Sequence, residues 1–317
     1  MLALEELTGL VVIDEIQRFS NLFSVLRVLV DQKNKKRQFL VLGSASRELI
    51  KQSSESLAGR IHYLELTTFS FEETGELEKL WLRGGFPLSY LADTEADSVR
   101  WRKDYIKTFL EQDIPNLGIK IPAQSLRRFW TMLAHYHGQL LNASEIGNSL
   151  DISHNTVKRY LDILTGTFMM RQLQPWHENI AKRQVKSTKI YFRDSGIFHT
   201  LLNINTHHEL MTNPKLGASW EGFALESIIR HLGVDQNDCY FWATHNQAEL
   251  DLLIVSGDKK IGFEFKHTKT PKLTRSMQIA YEDLKLNELT IIYAGDKHFK
   301  LTPHITCMPL DSFLSQK

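Results

Sequence analysis

The sequence has 317 residues, 42% of them hydrophobic and 24% charged, with 38 Lys+Arg against 37 Asp+Glu and a formal charge of +1. These values exclude a disordered or collagen-like chain, and the length predicts two or three modules, each burying its own core. No apolar run approaches the roughly 20 residues of a membrane span, so no membrane partner is expected. Met1-Leu2-Ala3-Leu4-Glu5-Glu6 carries no signal-peptide features, and Cys239 and Cys307 make neither a disulfide framework nor a zinc knuckle. A cytoplasmic protein is expected. The near-neutral average hides a basic middle. Residues 127–193 hold ten basic residues against four acidic ones, a surplus of six that leaves the rest of the chain at −5.

The first predicted strand is Leu10-Val11-Val12-Ile13, a buried parallel strand that runs into the paired acids Asp14-Glu15. A helix follows, with Ser20 or Asn21 as its cap ahead of Leu22, Val25, Leu26 and Leu29. Gln38-Phe39-Leu40-Val41-Leu42 is a second strand that ends in Gly43-Ser44. After a further helical stretch, Tyr63-Leu64-Glu65-Leu66 is a short third strand. This alternation predicts an α/β layer with parallel strands. Residues 76–125 read as helical, broken at Gly84-Gly85, Pro115 and Pro122.

Residues 126–195 carry a winged helix-turn-helix pattern. Leu126–His137 is one helix, and Ser144–Leu150 a second, capped at Asn142 or Ser144. Asp151-Ile152-Ser153 makes the turn. His154–Leu164 is the third helix, with Val157, Leu161 and Leu164 inward and wing strands at 168–174 and 189–193. His154, Asn155, Thr156, Lys158 and Arg159 open the third helix, where a recognition helix meets the major groove. Lys182, Arg183, Lys186 and Lys189 would contact phosphates, so duplex DNA is the expected partner. The competing expectation is a protein-contact module whose basic face is simply solvated.

In the last segment a helix holding Trp220-Glu221-Gly222-Phe223 runs to His231. Strands follow at 239–243, 249–256 and 260–266, then a helix near 274–286 and the strand Leu289–Tyr293. Ser256-Gly257-Asp258-Lys259 is a two-residue hairpin turn, with Gly257 supplying the positive φ. Closing Ser256 on Lys259 sets Asp251 opposite Glu264, Glu249 opposite Lys266, Leu252 opposite Phe263 and Leu250 opposite Phe265. Two facing carboxylates repel unless a cation joins them, and Mg²⁺ takes such oxygen ligands. Lys266, two residues beyond Glu264, shares its face and suits stabilisation of a phosphorane. The order helix–strand–hairpin–helix–strand resembles the PD-(D/E)XK, restriction-endonuclease-like fold. That resemblance implies Asp251 and Glu264 as metal ligands, Lys266 as the catalytic lysine and Glu221 as an accessory acid, with Glu226 as its substitute. The opposing expectation is a retained fold with no activity, or a surface pair between Glu249 and Lys266.

The acids at the first strand's end match a Walker B arrangement, in which Asp14 would help to hold Mg²⁺ and Glu15 would activate a water. A solvated strand end fits equally well. Ser44 occupies a sensor position toward a γ-phosphate, and Arg60 is either a phosphate sensor or half of a surface ion pair. Ile13-Asp14-Glu15-Ile16-Gln17-Arg18, Gly43-Ser44, Leu57-Ala58-Gly59-Arg60 and Phe69-Ser70-Phe71-Glu72-Glu73 together resemble a prokaryotic AAA-type ATPase family. Its members are ATP-binding proteins with a C-terminal domain of unknown function. The resemblance continues through Gly84-Gly85-Phe86-Pro87, Lys158-Arg159-Tyr160-Leu161, Lys186–Asp194 and Trp220-Glu221-Gly222-Phe223 to Glu249-Leu250-Asp251 and Glu264-Phe265-Lys266.

One departure matters. In this chain no Gly is followed directly by Lys, so the P-loop GxxxxGK[ST] is absent. The expectation is an N-terminally truncated member that does not hydrolyse ATP alone, with a partner chain able to supply the loop. The expected fold class is α/β multidomain. It comprises a partial AAA-type parallel sheet (1–75), a helical connector (76–125), a winged helix-turn-helix (126–195) and a restriction-endonuclease-like α/β domain (196–317).

Overall fold

The computed structural model describes residues 2–316 apart from 20, 33–35, 44–52, 181–182 and 247. The chain forms two compact units, residues 1–66 with 162–168, and residues 67–161 with 169–317.

In the first unit, strand β1 (Gly9–Ile13) pairs in parallel with β2 (Arg37–Val41), from Gly9↔Arg37 to Ile13↔Val41. Helix α1 (Leu22–Val30) joins them. Apolar residues three apart give α1 one buried face, so Phe23, Leu26 and Leu29 pack with Ile16 and Leu57 into a small core. Leu10 and Val12 stay 64% and 54% exposed, so β1 is not buried on both faces as expected. The predicted third strand, Tyr63–Leu66, does not form. An extended segment becomes a strand only within a sheet ladder, and neither sheet of the described residues includes these four residues. Leu66 is 98% exposed.

The second unit begins with α2 (Leu77–Arg83), α3 (Glu95–Thr108) and α4 (Ala123–His135). Then come β3 (Gln139–Leu140), α5 (Ala143–Leu150), α6 (His154–Gly166, of which residues 162–166 are counted with the first unit), β4 (Met170–Pro175) and β5 (Lys189–Phe192). Asn142 caps α5 by accepting the Glu145 N–H at 3.2 Å, and Asp151 takes the left-handed conformation (φ 55°) that ends it. Ser153 Oγ accepts the Thr156 N–H at the start of α6 (3.1 Å). Val157, Leu161 and Leu164 are buried, as their spacing predicts. Strand β5 pairs antiparallel with both β3 and β4.

Next in order are α7 (Ser195–Leu201), α8 (Leu216–Leu232), β6 (Cys239–Ala243), β7 (Glu249–Ser256), β8 (Lys259–Lys266), α9 (Arg275–Leu284), β9 (Glu288–Tyr293), β10 (Phe299–Thr302) and β11 (Ile305–Pro309). One nine-stranded sheet runs through the unit in the order β10-β11-β9-β8-β7-β6-β4-β5-β3. Strand β4 joins its two parts, pairing antiparallel with β5 and, at Gln174 and Pro175, parallel with β6. Trp220, Phe223 and Ala224 of α8 pack on one face with Leu252, Phe263 and Phe265. On the other, Met277, Ala280 and Leu284 of α9 pack with Trp242, Leu250, Leu253 and Ile291.

Candidate functional site

The β7–β8 hairpin has the expected register from Leu252↔Phe263 to Ser256↔Lys259, and Gly257 turns it at φ 59°. Beyond Leu252 the pattern changes. On the β6 side the ladder slips between Tyr240↔Leu253 and Trp242↔Leu250, so Asp251 and Leu252 together face a single residue of β6. Such a bulge bends the strand and re-aims its side chains. Leu250 therefore joins the α9 core and Phe265 the α8 core, and the expected Leu250–Phe265 pair does not form. Asp251 Oδ2 instead accepts the Phe265 N–H at 3.0 Å.

This bend gathers four carboxylates and two ammoniums. Lys266 Nζ lies 2.9 Å from Glu264 Oε2 and 3.7 Å from Asp251 Oδ2. The expected Glu249–Lys266 pair is replaced, because Glu249 bonds Lys189. Lys189 Nζ also lies 3.6 Å from Glu221 Oε1 and 3.8 Å from Asp251 Oδ1. Tyr191, two residues along β5, donates its hydroxyl to Glu221 Oε1 at 2.6 Å. Lys266 and Glu249 side chains are 40% and 44% exposed, against 6% for Glu264 and 8% for Asp251, so the first two mark where the cluster opens to solvent.

The charges here are far from balanced. Burial and the nearby Asp251 carboxylate push Glu221 up to about 7, against the pull of Lys189. The same two causes raise Glu264 well above the ordinary glutamate range, although Lys266 opposes them. Burial works against charge on both lysines, but it is outweighed by Tyr191 and the carboxylates at Lys189 and by Asp251 and Glu264 at Lys266, which hold each ammonium more firmly than usual.

Asp251, Glu264, Lys266 and Glu221 are thus brought together. Glu226 is not part of this cluster. It accepts hydrogen bonds from Arg171 Nε and, at 3.0 Å, Arg171 Nη2, with Arg193 Nε at 3.5 Å. Against the cost of burial, these arginines lower its pKa to about 2, which fits a structural ion pair and not an accessory acid. The sequence pattern does not reveal Lys189 or Tyr191 as members of the cluster, and it sets Glu249 against Lys266 where the structure sets it against Lys189. Lys189 was expected to meet phosphate at the surface, yet it is 5% exposed. A lysine heading a four-residue strand whose other members are all apolar or aromatic was the available signal.

His154, Asn155, Lys158 and Arg159 are exposed on the first turns of α6, while Thr156 is half-buried with its hydroxyl 2.9 Å from Ser153 Oγ. Arg183 is exposed, and Lys182 lies outside the described residues. In the other unit, Asp14 and Glu15 are exposed just beyond β1, and Asp14 Oδ1 accepts the Glu15 N–H at 2.9 Å. Ser44 lies outside the described residues. Arg60 forms a two-pronged pair with Asp31, Nε to Oδ1 at 2.6 Å and Nη2 to Oδ2 at 3.0 Å. No described helix is long and apolar enough to cross a membrane.

Three family models match the chain in succession: an AAA domain at residues 1–75, the domain of unknown function DUF8612 at 74–208 and the domain of unknown function DUF4143 at 216–313. The chain is 49% identical to the uncharacterized protein Rv2008c of Mycobacterium tuberculosis and to Mb2031c of Mycobacterium bovis, over 99% of this chain and 71% of each relative. It is 22% identical to the uncharacterized protein MJ1544 of Methanocaldococcus jannaschii, over 90% of this chain and 69% of that protein. No solved structure matches. The identity and coverage shared with the mycobacterial proteins, with the AAA and DUF4143 matches in order, place this chain in their AAA-type ATPase-like family with domains of unknown function.

Proposed function

We propose that this chain binds duplex DNA and that its C-terminal domain is restriction-endonuclease-like and hydrolyses phosphodiesters with a divalent metal at Asp251 and Glu264. The convergence of Asp251, Glu264 and Lys266 at the bend of β7 and β8 carries the reading. The donor set suits a hard cation. It offers only oxygen ligands, and its four carboxyl groups, when all are ionised, exceed its two ammoniums by two charges. A bound Mg²⁺ would polarise the scissile phosphate and acidify a water. Lys266, at the solvent opening, is suited to stabilise charge building on the phosphoryl oxygens. Glu221, which titrates near neutrality, can hold and pass a proton. The order α8–β6–β7–β8–α9–β9 supports the endonuclease-like assignment, and α4–β3–α5–α6–β4–β5 supports a winged helix.

Supercoiled, linear and branched DNA incubated with Mg²⁺ or Mn²⁺ tests the proposal. Cleavage by the wild type that disappears in Asp251→Ala and in Lys266→Ala is the expected result. Cleavage that survives both substitutions removes this site from the chemistry.

A second reading, DNA binding without cleavage, is favoured by one observation. Among the described residues no three His, Cys, Asp or Glu side chains are grouped as metal ligands, and lysines contact the carboxylates of the cluster. Duplex binding with no cleavage under any metal would select it. In either case these 317 residues contain no P-loop, and we expect no ATP turnover from them alone. A measured Mg-ATP turnover abolished by Asp14→Ala would overturn that.

A further inference from the structure

The carboxylate cluster has two sides, and Asp251 is their hinge. Its Oδ2 faces Lys266, which shares the half-exposed opening with Glu264, while its Oδ1 faces Lys189. Lys189 does not come from the hairpin or from α8. It heads β5, the strand that pairs with β3 and β4, and reaches the cluster from that part of the sheet. Its ammonium contacts Glu249, Glu221 and Asp251, and sits over the Phe241 ring with Nζ 5.6 Å from the centroid. A buried cation held by three carboxylates and backed by an aromatic face has the surroundings of a bound ion and not those of a solvated surface lysine. Tyr191, on the same strand, orients Glu221 from the adjoining position.

We propose that Lys189 is a tethered cation that fills the Glu221–Glu249–Asp251 side of the cluster, so that metal is confined to the Asp251–Glu264 side. This deepens the metal reading of Asp251 and Glu264 and rests on it. Two ammoniums and one divalent ion would together match the four carboxylates, so the cluster is built for one metal ion and not two. The tether also makes the metal centre depend on where β5 lies. Whatever shifts that strand shifts the charge beside Asp251.

Mn²⁺ binding to the full chain, followed by calorimetry and by the Mn²⁺ spin-resonance signal, tests the proposal. The wild type is expected to bind one Mn²⁺. Lys189→Met removes a positive charge a few ångströms from the metal side, and Mn²⁺ affinity is expected to rise about tenfold or more. Lys189→Arg keeps the charge and is expected to resemble the wild type. Adding Glu221→Gln to Lys189→Met is expected to cancel most of the gain, because Glu221 belongs to the side that the lysine vacated. A gain below twofold, or one undiminished by Glu221→Gln, overturns the proposal.

Should Lys189→Met not fold in EDTA, Lys189→Gln carries the same comparison. If neither variant folds even with Mn²⁺, a metal cannot replace the ammonium and the proposal fails. Its failure is distinct from failure of the nuclease reading. A wild type that cleaves DNA but binds Mn²⁺ no more weakly than Lys189→Met retains the nuclease and loses the tethered cation. A wild type that never cleaves, beside a Lys189→Met that gains Mn²⁺, does the reverse.

Discussion

Gly222 lies directly against the His137 ring: a Cβ at this position would stand 2.2 Å from Nε2 and 2.5 Å from Cε1. The glycine sits between Glu221 and Phe223 in the middle of α8, where its lack of a side chain costs helix propensity and is retained for close packing. His137 is wholly enclosed, its ring stacked on Phe198 at 4.2 Å, and cannot swing aside. Gly222→Ala is therefore expected to destabilise the fold by about 1–3 kcal/mol in urea unfolding. Gly217 lies in the first turn of the same helix, and a Cβ there would meet nothing within 4 Å. Gly217→Ala should be neutral or stabilising by up to about 1 kcal/mol. Equal effects at the two positions would show that helix propensity, and not His137, decides the matter.

Two buried histidines make stability pH-dependent. His137 Nδ1 accepts the Phe192 N–H at 2.9 Å, so the ring is neutral, and burial lowers its pKa from 6.5 to about 3. His199 bridges Ser219 Oγ (2.7 Å) and the Leu82 carbonyl (3.1 Å), and burial lowers its pKa to about 4. In the unfolded chain both would take up protons below 6.5, whereas the folded chain refuses them. Their contribution is intact above that pH and declines as pH falls from 6.5 toward 4, by about 1.4 kcal/mol per pH unit for each histidine. Urea midpoints at pH 7.5, 6.0 and 5.0 measure this, and a flat profile would contradict the buried neutral state.

The hairpin register could be read in advance because its evidence is local. Leu252 and Ile254 alternate against Phe263 and Ile261, and Gly257 marks the turn. The bulge at Asp251–Leu252 could not, since it is a mismatch with Tyr240 and Trp242 on a strand met earlier in the chain. Lys189 escaped for the same reason. It follows the basic and polar run Lys186-Ser187-Thr188 and precedes the apolar Ile190-Tyr191-Phe192, so its sequence context points both ways, and only carboxylates 32 to 62 positions away give it a buried role. Gly84-Gly85 was legible as a break but not as a contact. Gly85 donates its N–H to Asp194 Oδ2 at 2.8 Å, while Asp194 Oδ1 accepts the Ile197 N–H at the head of α7. Tyr63–Leu66 has the composition of a strand, yet composition supplies no ladder partner.

Two buried glutamates, Glu264 and Glu226, should respond in opposite ways to amidation. Glu264 is disfavoured as an anion by burial and by Asp251, so its charge costs stability at neutral pH. Glu264→Gln is expected to leave stability in EDTA equal or higher while abolishing metal binding. Glu226 is favoured as an anion by Arg171 and Arg193, and Glu226→Gln leaves a buried guanidinium without its counter-charge. A loss of about 3–5 kcal/mol is expected, with Mn²⁺ affinity of the folded fraction unchanged. Paired thermal melts and Mn²⁺ titrations separate the two roles. If Glu226→Gln weakened Mn²⁺ as much as Glu264→Gln, the division between ion pair and metal cluster would be wrong.

The start of α6 tests the DNA assignment through salt and not through affinity alone. Lys158 and Arg159 are exposed on its first turns, beside His154 and Asn155, and each would release counterions on meeting a phosphate. In a plot of log affinity for duplex DNA against log salt, Lys158→Ala/Arg159→Ala is expected to flatten the slope by about 2, close to 0.9 per contact. Asn155→Ala removes no charge, so it should leave the slope unchanged while narrowing the gap between preferred and random duplexes. Lys189→Gln is the internal control. Its ammonium is buried among carboxylates, so the slope should stay at the wild-type value, which would not hold for a lysine at the DNA surface. An unchanged slope in the double variant would move α6 from DNA recognition to protein contact.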